Sequence, residues 1–162
     1  LENQKIDLLV NNSGLYEASS FKNSPLSSVI HNINEIIDTN VKGSMYVTKA
    51  VIHKFNIYGR IIFMNSVAGV KEIENEAIYS ASKHALSAFA GIISKELKPN
   101  VRVTSIHPGG VMTPLWKHKS YPGNRSILMD VKEILHSIDF ILDSSNNVDI
   151  PTLLINPVLE NH

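Results

Sequence analysis

Apolar residues fall into short unbroken runs separated by longer stretches with helical spacing, and this alternation predicts strands and helices in turn. Ile6-Val10 and Arg60-Met64 are continuous runs of the kind expected for strands buried on both faces of a sheet. Two further strands are predicted at Val101-Ile106 and Thr152-Ile155. Between the first two, Ser24-Pro25 reads as a helix start with proline at the first helical position. Leu26, Val29, Ile33, Ile37, Val41, Met45, Thr48, Ile52 and Phe55 then keep helical spacing for about eight turns. A second helix is predicted from Ala77 to Lys98, stopped by Pro99, and a third from Asp130 to Leu142, with Ile134, Leu135, Ile138 and Ile141 as plain core. Strands that alternate with helices predict one α/β domain, a doubly wound parallel sheet with helices on its faces.

In an open parallel sheet, ligands bind outside the carboxyl ends of the strands. Polar and turn residues gather at that edge: Asn12 and Gly14 after the first strand, Ser66 after the second, and Pro108 to Thr113 after the third. Tyr79 and Lys83 are four residues apart, so the second helix stacks phenol and ammonium on one face. A cation there favours the phenolate and lowers the tyrosine pKa, as a general acid-base tyrosine requires. Asn40 falls on or beside the apolar stripe of the first helix, where a buried amide costs about 1 to 3 kcal/mol unless it is hydrogen-bonded. It reads either as a kink or local cap or as a functional amide.

Composition narrows the function classes. A chain of 162 residues suits one domain with a real core, and 43% apolar residues with a formal net charge of zero describe an ordinary soluble protein. No basic stripe is present for nucleic acid, since Lys117-His118-Lys119 is short enough for a solvated loop. Absence of cysteine excludes disulfides and thiolate metal sites and is compatible with the cytoplasm. The seven histidines show no close ligand pairing, so no metal is expected, and no apolar run approaches a membrane span.

Several motifs now align. Asp7-Leu-Leu-Val-Asn-Asn-Ser-Gly14, Asn40-Val-Lys-Gly, a strand ending in Ser66, Tyr79-x-x-x-Lys83 and the strand running into Pro108-Gly-Gly-Val-Met-Thr113 occur in an order and spacing that resemble the short-chain dehydrogenase/reductase family over nearly the whole chain. The resemblance implies a Rossmann-like fold, NAD or NADP as cofactor, and hydride transfer to or from a small carbonyl or alcohol substrate. It implies Tyr79 as general acid or base, Lys83 as the cation that lowers its pKa and bonds the nicotinamide ribose, and Ser66 as donor to the substrate oxygen. Asn40 completes a proton path, Asn12 and Gly14 lie against the adenosine side, and Pro108, Gly109, Val111 and Thr113 lie towards the nicotinamide end. A homodimer or homotetramer is implied too, and the small residues Ser87, Ala88 and Gly91 permit close helix approach, although internal packing explains them equally well. Ser13 replaces the family's usual alanine and receives no role.

One departure is large. None of the eight glycines lies in a Gly-x-x-x-Gly-x-Gly or Gly-x-Gly-x-x-Gly run, so the phosphate-binding turn and the first three strands of the family sheet are absent from these residues. Residues 1-162 are therefore expected to be a partial Rossmann-like domain, the carboxyl-terminal part of a compact-branch enzyme, and Leu1 suggests an amino-terminal truncation. An upstream targeting segment would be invisible. The alternative is a non-catalytic interaction module of the same fold; the coding sequence upstream of Leu1 discriminates the two. The stretch after Lys83 is too short for the substrate domain of the family's sugar-nucleotide branch. Lys71, Glu72, Glu74 and Glu76 read as a solvated loop, Trp116 as pocket lining or core, and the Thr113-Ser126 loop as functional but unassigned in substrate.

Overall fold

The computed structural model describes residues 4–116 and 125–159. Four parallel strands, β1 (Ile6–Asn11), β2 (Phe55–Met64), β3 (Val101–Pro108) and β4 (Thr152–Ile155), form one sheet in the order β1-β2-β3-β4. Alternate residues of β2 explain its unbroken apolar run. Ile61 and Phe63 pack with Leu86, Ala90 and Val103 on one face, and Ile62 packs with Ile106 and Ile141 on the other. The first face is covered by α3 (Ala77–Leu97) and the second by α4 (Val131–Asp143). The α4 start is capped as its sequence suggests, with the Asp130 side chain accepting from the Lys132 N–H at 2.9 Å.

Three expectations are corrected. The long first helix is broken into α1 (Leu26–Ile36), a π-helical turn (Ile37–Gly43) and α2 (Ser44–Val51), followed by a 3-10 turn over Ile52–Lys54. Apolar spacing alone does not distinguish an i+4 turn from an i+5 turn, so the sequence concealed the widening. Phe55, which continues that spacing, begins β2 and pairs with Ile6. β2 is irregular there: Tyr58 takes φ 71°, and a Cβ on Gly59 would stand 2.6 Å from the Phe55 ring. Pro25 is the residue before α1 rather than its first turn.

β1 is an edge strand among the described residues. Leu9 packs into the α3 face, but Leu8 and Val10 point to the α4 face, which does not reach them, and remain 39% and 37% exposed. Burial on both faces therefore holds for β2 and not for β1. At the opposite edge of the strands, Arg60 and Arg102 pair across β2 and β3 and hold the carboxyl end of α4, Arg60 through the Leu142 and Ser144 carbonyls and Arg102 through that of Ser145. Among the described residues no helix is long and apolar enough to cross a membrane, and no group of three or more His, Cys, Asp or Glu could hold a metal.

Candidate active site

The carboxyl edge of the sheet gathers Ser66, Tyr79, Lys83 and Asn40. Ser66 follows β2 and starts a 3-10 turn, Val67–Gly69, its Oγ accepting from the Ala68 N–H at 3.2 Å. The same side chain lies near enough to Tyr79 to act on it, and its influence lowers the phenol's pKa. His107, buried at the end of β3, fixes Ser66 from behind: its Nδ1 lies 3.0 Å from the Ser66 carbonyl, so the ring carries its proton there. Burial, with the neighbouring Lys83 and His84 charges, holds His107 below the usual histidine range.

Tyr79 and Lys83 share one face of α3, with Lys83 Nζ 5.6 Å from the Tyr79 ring centroid. Both are buried. Lys83 donates to the Met64 carbonyl at 3.1 Å, its one hydrogen bond among the described residues, and desolvation holds its pKa at about 8. The ammonium is expected to draw the phenol down. Instead, burial pushes Tyr79 up to about 12, with the Glu76 charge adding to the rise and the Ser66 hydrogen bond opposing it. Lys83, held at about 8, has lost its charge before the phenol ionises and so gives the phenolate no support there.

Asn40 is 1% exposed inside the π-helical turn. Its Oδ1 accepts from the Leu15 N–H at 2.7 Å, and its Nδ2 donates to the Leu15 carbonyl at 2.9 Å and to Ser82 Oγ at 3.1 Å. The Ser82 hydroxyl continues to the Tyr79 carbonyl at 2.7 Å. One amide thus ties the loop after β1 to α3, as a buried, hydrogen-bonded side chain near Lys83. Gly14 lies against the same pair: a Cβ there would be 3.5 Å from Asn40 Oδ1 and 3.7 Å from Lys83 Nζ.

Asn12 is exposed at the sheet edge, whereas its neighbour Asn11 is buried and donates to Thr48 Oγ1 at 3.1 Å. Pro108 ends β3, and the Gly109 N–H donates to the Ile155 carbonyl at 2.8 Å. Val111 bridges to Met129, tying Pro108 to Thr113 at the same edge to the segment before α4. Residues 117–124 of the loop and the Trp116 side chain lie outside the described residues. Sequence reasoning missed Ser82, His107 and Tyr16, and misread Glu76, which is 7% exposed and accepts from the Tyr16 hydroxyl at 2.7 Å. Its position three residues before Tyr79 on the same helical face was the available signal.

Sheet order and helical cover define a Rossmann-like α/β protein, with Ser66, Tyr79 and Lys83 at the strand ends. The family model described as short chain dehydrogenase matches residues 2–122, and the chain belongs to that family. It is 32% identical over 157 residues to an uncharacterized oxidoreductase of Staphylococcus saprophyticus, covering 95% of this chain and 64% of that protein. It is 29% identical over 163 residues to a farnesol dehydrogenase of Aedes aegypti, covering 96% and 65%. Its fold matches the closed form of a serine dehydrogenase complexed with NADP+, with a TM-score of 0.80 at 25% identity, covering 98% of this chain and 67% of that one. The chain spans just under two thirds of the length of these two curated relatives.

Proposed function

We propose that these residues form the proton-transfer half of an NAD(P)-dependent oxidoreductase that moves a hydride between the cofactor and a small carbonyl or alcohol substrate. The observation that carries this reading is the buried Tyr79–Lys83 pair on one face of α3, Nζ 5.6 Å from the ring centroid, beside Ser66 at the end of β2. The solved neighbour complexed with NADP+ and the relative named a dehydrogenase support it.

The residues present fit the nicotinamide ribose end of such a cofactor. Lys83 offers a buried ammonium with one protein acceptor among the described residues, and Gly14, expected at the adenosine side, instead leaves open the space beside that ammonium. A bound nicotinamide supplies or takes up the hydride. Tyr79, neutral at ordinary pH, donates its proton to the substrate oxygen as that oxygen becomes an alkoxide, and takes it back in the oxidative direction. Ser66 donates to the same oxygen, where its effect grows with the developing charge. The Asn40 amide is engaged by Leu15 and Ser82, so Asn40 contributes to a proton path by fixing the walls around Lys83 rather than by offering its side chain.

No glycine-rich turn for the pyrophosphate occurs in the 162 residues, and that fact also supports the second reading, a non-catalytic module of the same fold. The deciding experiment joins these residues to a glycine-rich strand-turn-helix, from the natural coding sequence if it carries one or otherwise from a relative. Loss of nicotinamide absorbance is then followed with carbonyl substrates. Tyr79→Phe is expected to lower kcat by about two to four orders of magnitude while cofactor binding is retained. Turnover near that of the unsubstituted protein would remove Tyr79 from the mechanism, and no turnover in either would favour the module.

A further inference from the structure

The loop between β1 and α1 makes a contact that this chemistry leaves unused. Tyr16 is buried, and its ring meets that of Tyr79 edge to face, with centroids 4.9 Å apart and planes at 83°. Its hydroxyl donates to Glu76 Oε1 at 2.7 Å. Glu76 is the residue before α3 and lies one turn ahead of Tyr79, buried, whereas Glu72 and Glu74 of the same segment are exposed. A second bond ties the two segments, from the Ser19 N–H to the Asn75 carbonyl at 2.7 Å. Asn75 takes φ 63°, so the chain adopts a costly left-handed turn immediately before Glu76. A carboxylate withdrawn from water and set beside a phenol opposes ionisation of that phenol, because two negative charges in a poorly solvated space repel.

We propose that Glu76, held by Tyr16, is a positioning residue that adds to burial in opposing ionisation of Tyr79 and so biases the site towards carbonyl reduction. The consequence for direction rests on the reading of Tyr79 as the proton-transfer group; the coupling between Glu76 and Tyr79 does not. The groups facing Tyr79 divide cleanly. The Ser66 side chain from the end of β2 favours the phenolate, whereas Lys83 on the same helix, held at about 8, has lost its charge before the phenol ionises. His107 on β3 reaches the site through the Ser66 carbonyl and is held below the usual histidine range, and His84 follows Lys83 on α3. Tyr16 is uncharged and adds desolvation. Burial is the largest influence holding the phenol neutral, and Glu76 is the charge that adds to it against the pull of Ser66.

The test reads the ionisation of residue 79 directly. In the 162-residue chain, Tyr79 is replaced by fluorotyrosine, whose phenol ionises at lower pH and keeps the titration within the folded range, and the titration is followed by fluorine NMR. Glu76→Gln removes the charge and keeps an acceptor for Tyr16; it is expected to move the titration down by about half a unit or more. Glu76→Asp, which restores the charge, is expected to return it towards the starting value. Tyr16→Phe keeps the ring and removes its hydroxyl donor to the carboxylate, and is expected to lower the titration in the Glu76 background and to leave it unchanged in the Glu76→Gln background. A Glu76→Gln titration that coincides with the original would overturn the proposal, as would an equal fall in Glu76→Asp. Should Glu76→Gln fail to fold, Tyr16→Phe still decides it: a titration that coincides with the original would overturn the proposal. A confirmed shift alongside a fully active Tyr79→Phe enzyme would leave the coupling standing and remove only the catalytic reading.

Discussion

Burial of Lys83 makes stability depend on pH in a direction that can be worked out in advance. Desolvation lowers its pKa from 10.5 to about 8, and at ~1.36 kcal/mol per unit the difference corresponds to about 3 kcal/mol. Between those two values the unfolded chain holds a proton that the folded chain has released, so stability rises with pH across that window. Below it the penalty is complete, because the folded protein must bury a full ammonium. Lys83→Met keeps an unbranched side chain and removes the charge, at the loss of one hydrogen bond to the Met64 carbonyl, about 1 kcal/mol. The variant is therefore expected to be more stable than the original by about 2 kcal/mol near pH 7, with the gap closing as the pH approaches about 10. Tyr79 works in the opposite sense. Its folded pKa of about 12 exceeds the ordinary 10.0, so the unfolded chain ionises first and stability falls above about pH 10 in both proteins. Urea denaturation followed by circular dichroism at intervals from about pH 7 to about pH 10 measures the gap. A difference that stays constant with pH would refute the reasoning, since only a titration confined to one of the two proteins makes it vary.

Asn40→Ala removes three hydrogen bonds and should cost about 3 kcal/mol, with loss of hydrogen-exchange protection at the Leu15 amide; a protected Leu15 amide would contradict the assigned pairing. The exposed apolar residues Leu26 and Ile30 of α1 and Tyr46 and Val47 of α2 support association through these helices, so a homo-oligomer is expected by sedimentation at micromolar concentration, and a monomer would count against it. Residues 1–162 alone, lacking a pyrophosphate turn, are expected to bind neither NAD(H) nor NADP(H) appreciably by calorimetry; micromolar affinity would mean that other residues build the phosphate site.

Much of this architecture was legible because it rests on local pattern. The two-faced core around β2 follows from an unbroken apolar run, and the span of α3 from its spacing and Pro99. The Tyr79–Lys83 face follows from four-residue spacing. What was not legible depends on partners distant in sequence. Glu76 belongs to a charged run that reads as solvated, yet it is buried and bonded to Tyr16, sixty residues earlier. The exposure of Leu8 and Val10 reflects what stands beside β1, which its own residues do not encode. Phe55 has the right spacing for a helix and the right side chain for a strand, and pairing with Ile6 decides the matter.

The π-helical turn gives the misread helix a purpose. Asn40 binds Leu15 through both its carbonyl oxygen and its amide nitrogen, the pattern by which one strand segment pairs with another, yet it does so from within a helix. A side chain that must reach sideways to a loop is poorly served by a regular turn, and a widened turn at that position relieves the conflict. The bond from Asn40 to Ser82, and from Ser82 to the Tyr79 carbonyl, carries the constraint into the first turns of α3. The loop after β1 is therefore fixed to α3 twice, through Asn40 near Lys83 and through Tyr16 near Tyr79. A loosening of either link should alter the placement of the phenol relative to the ammonium, so substitutions at Leu15, Tyr16 and Ser82 belong functionally with those at Tyr79 and Lys83, although none of these three appears in the motif that reveals the family.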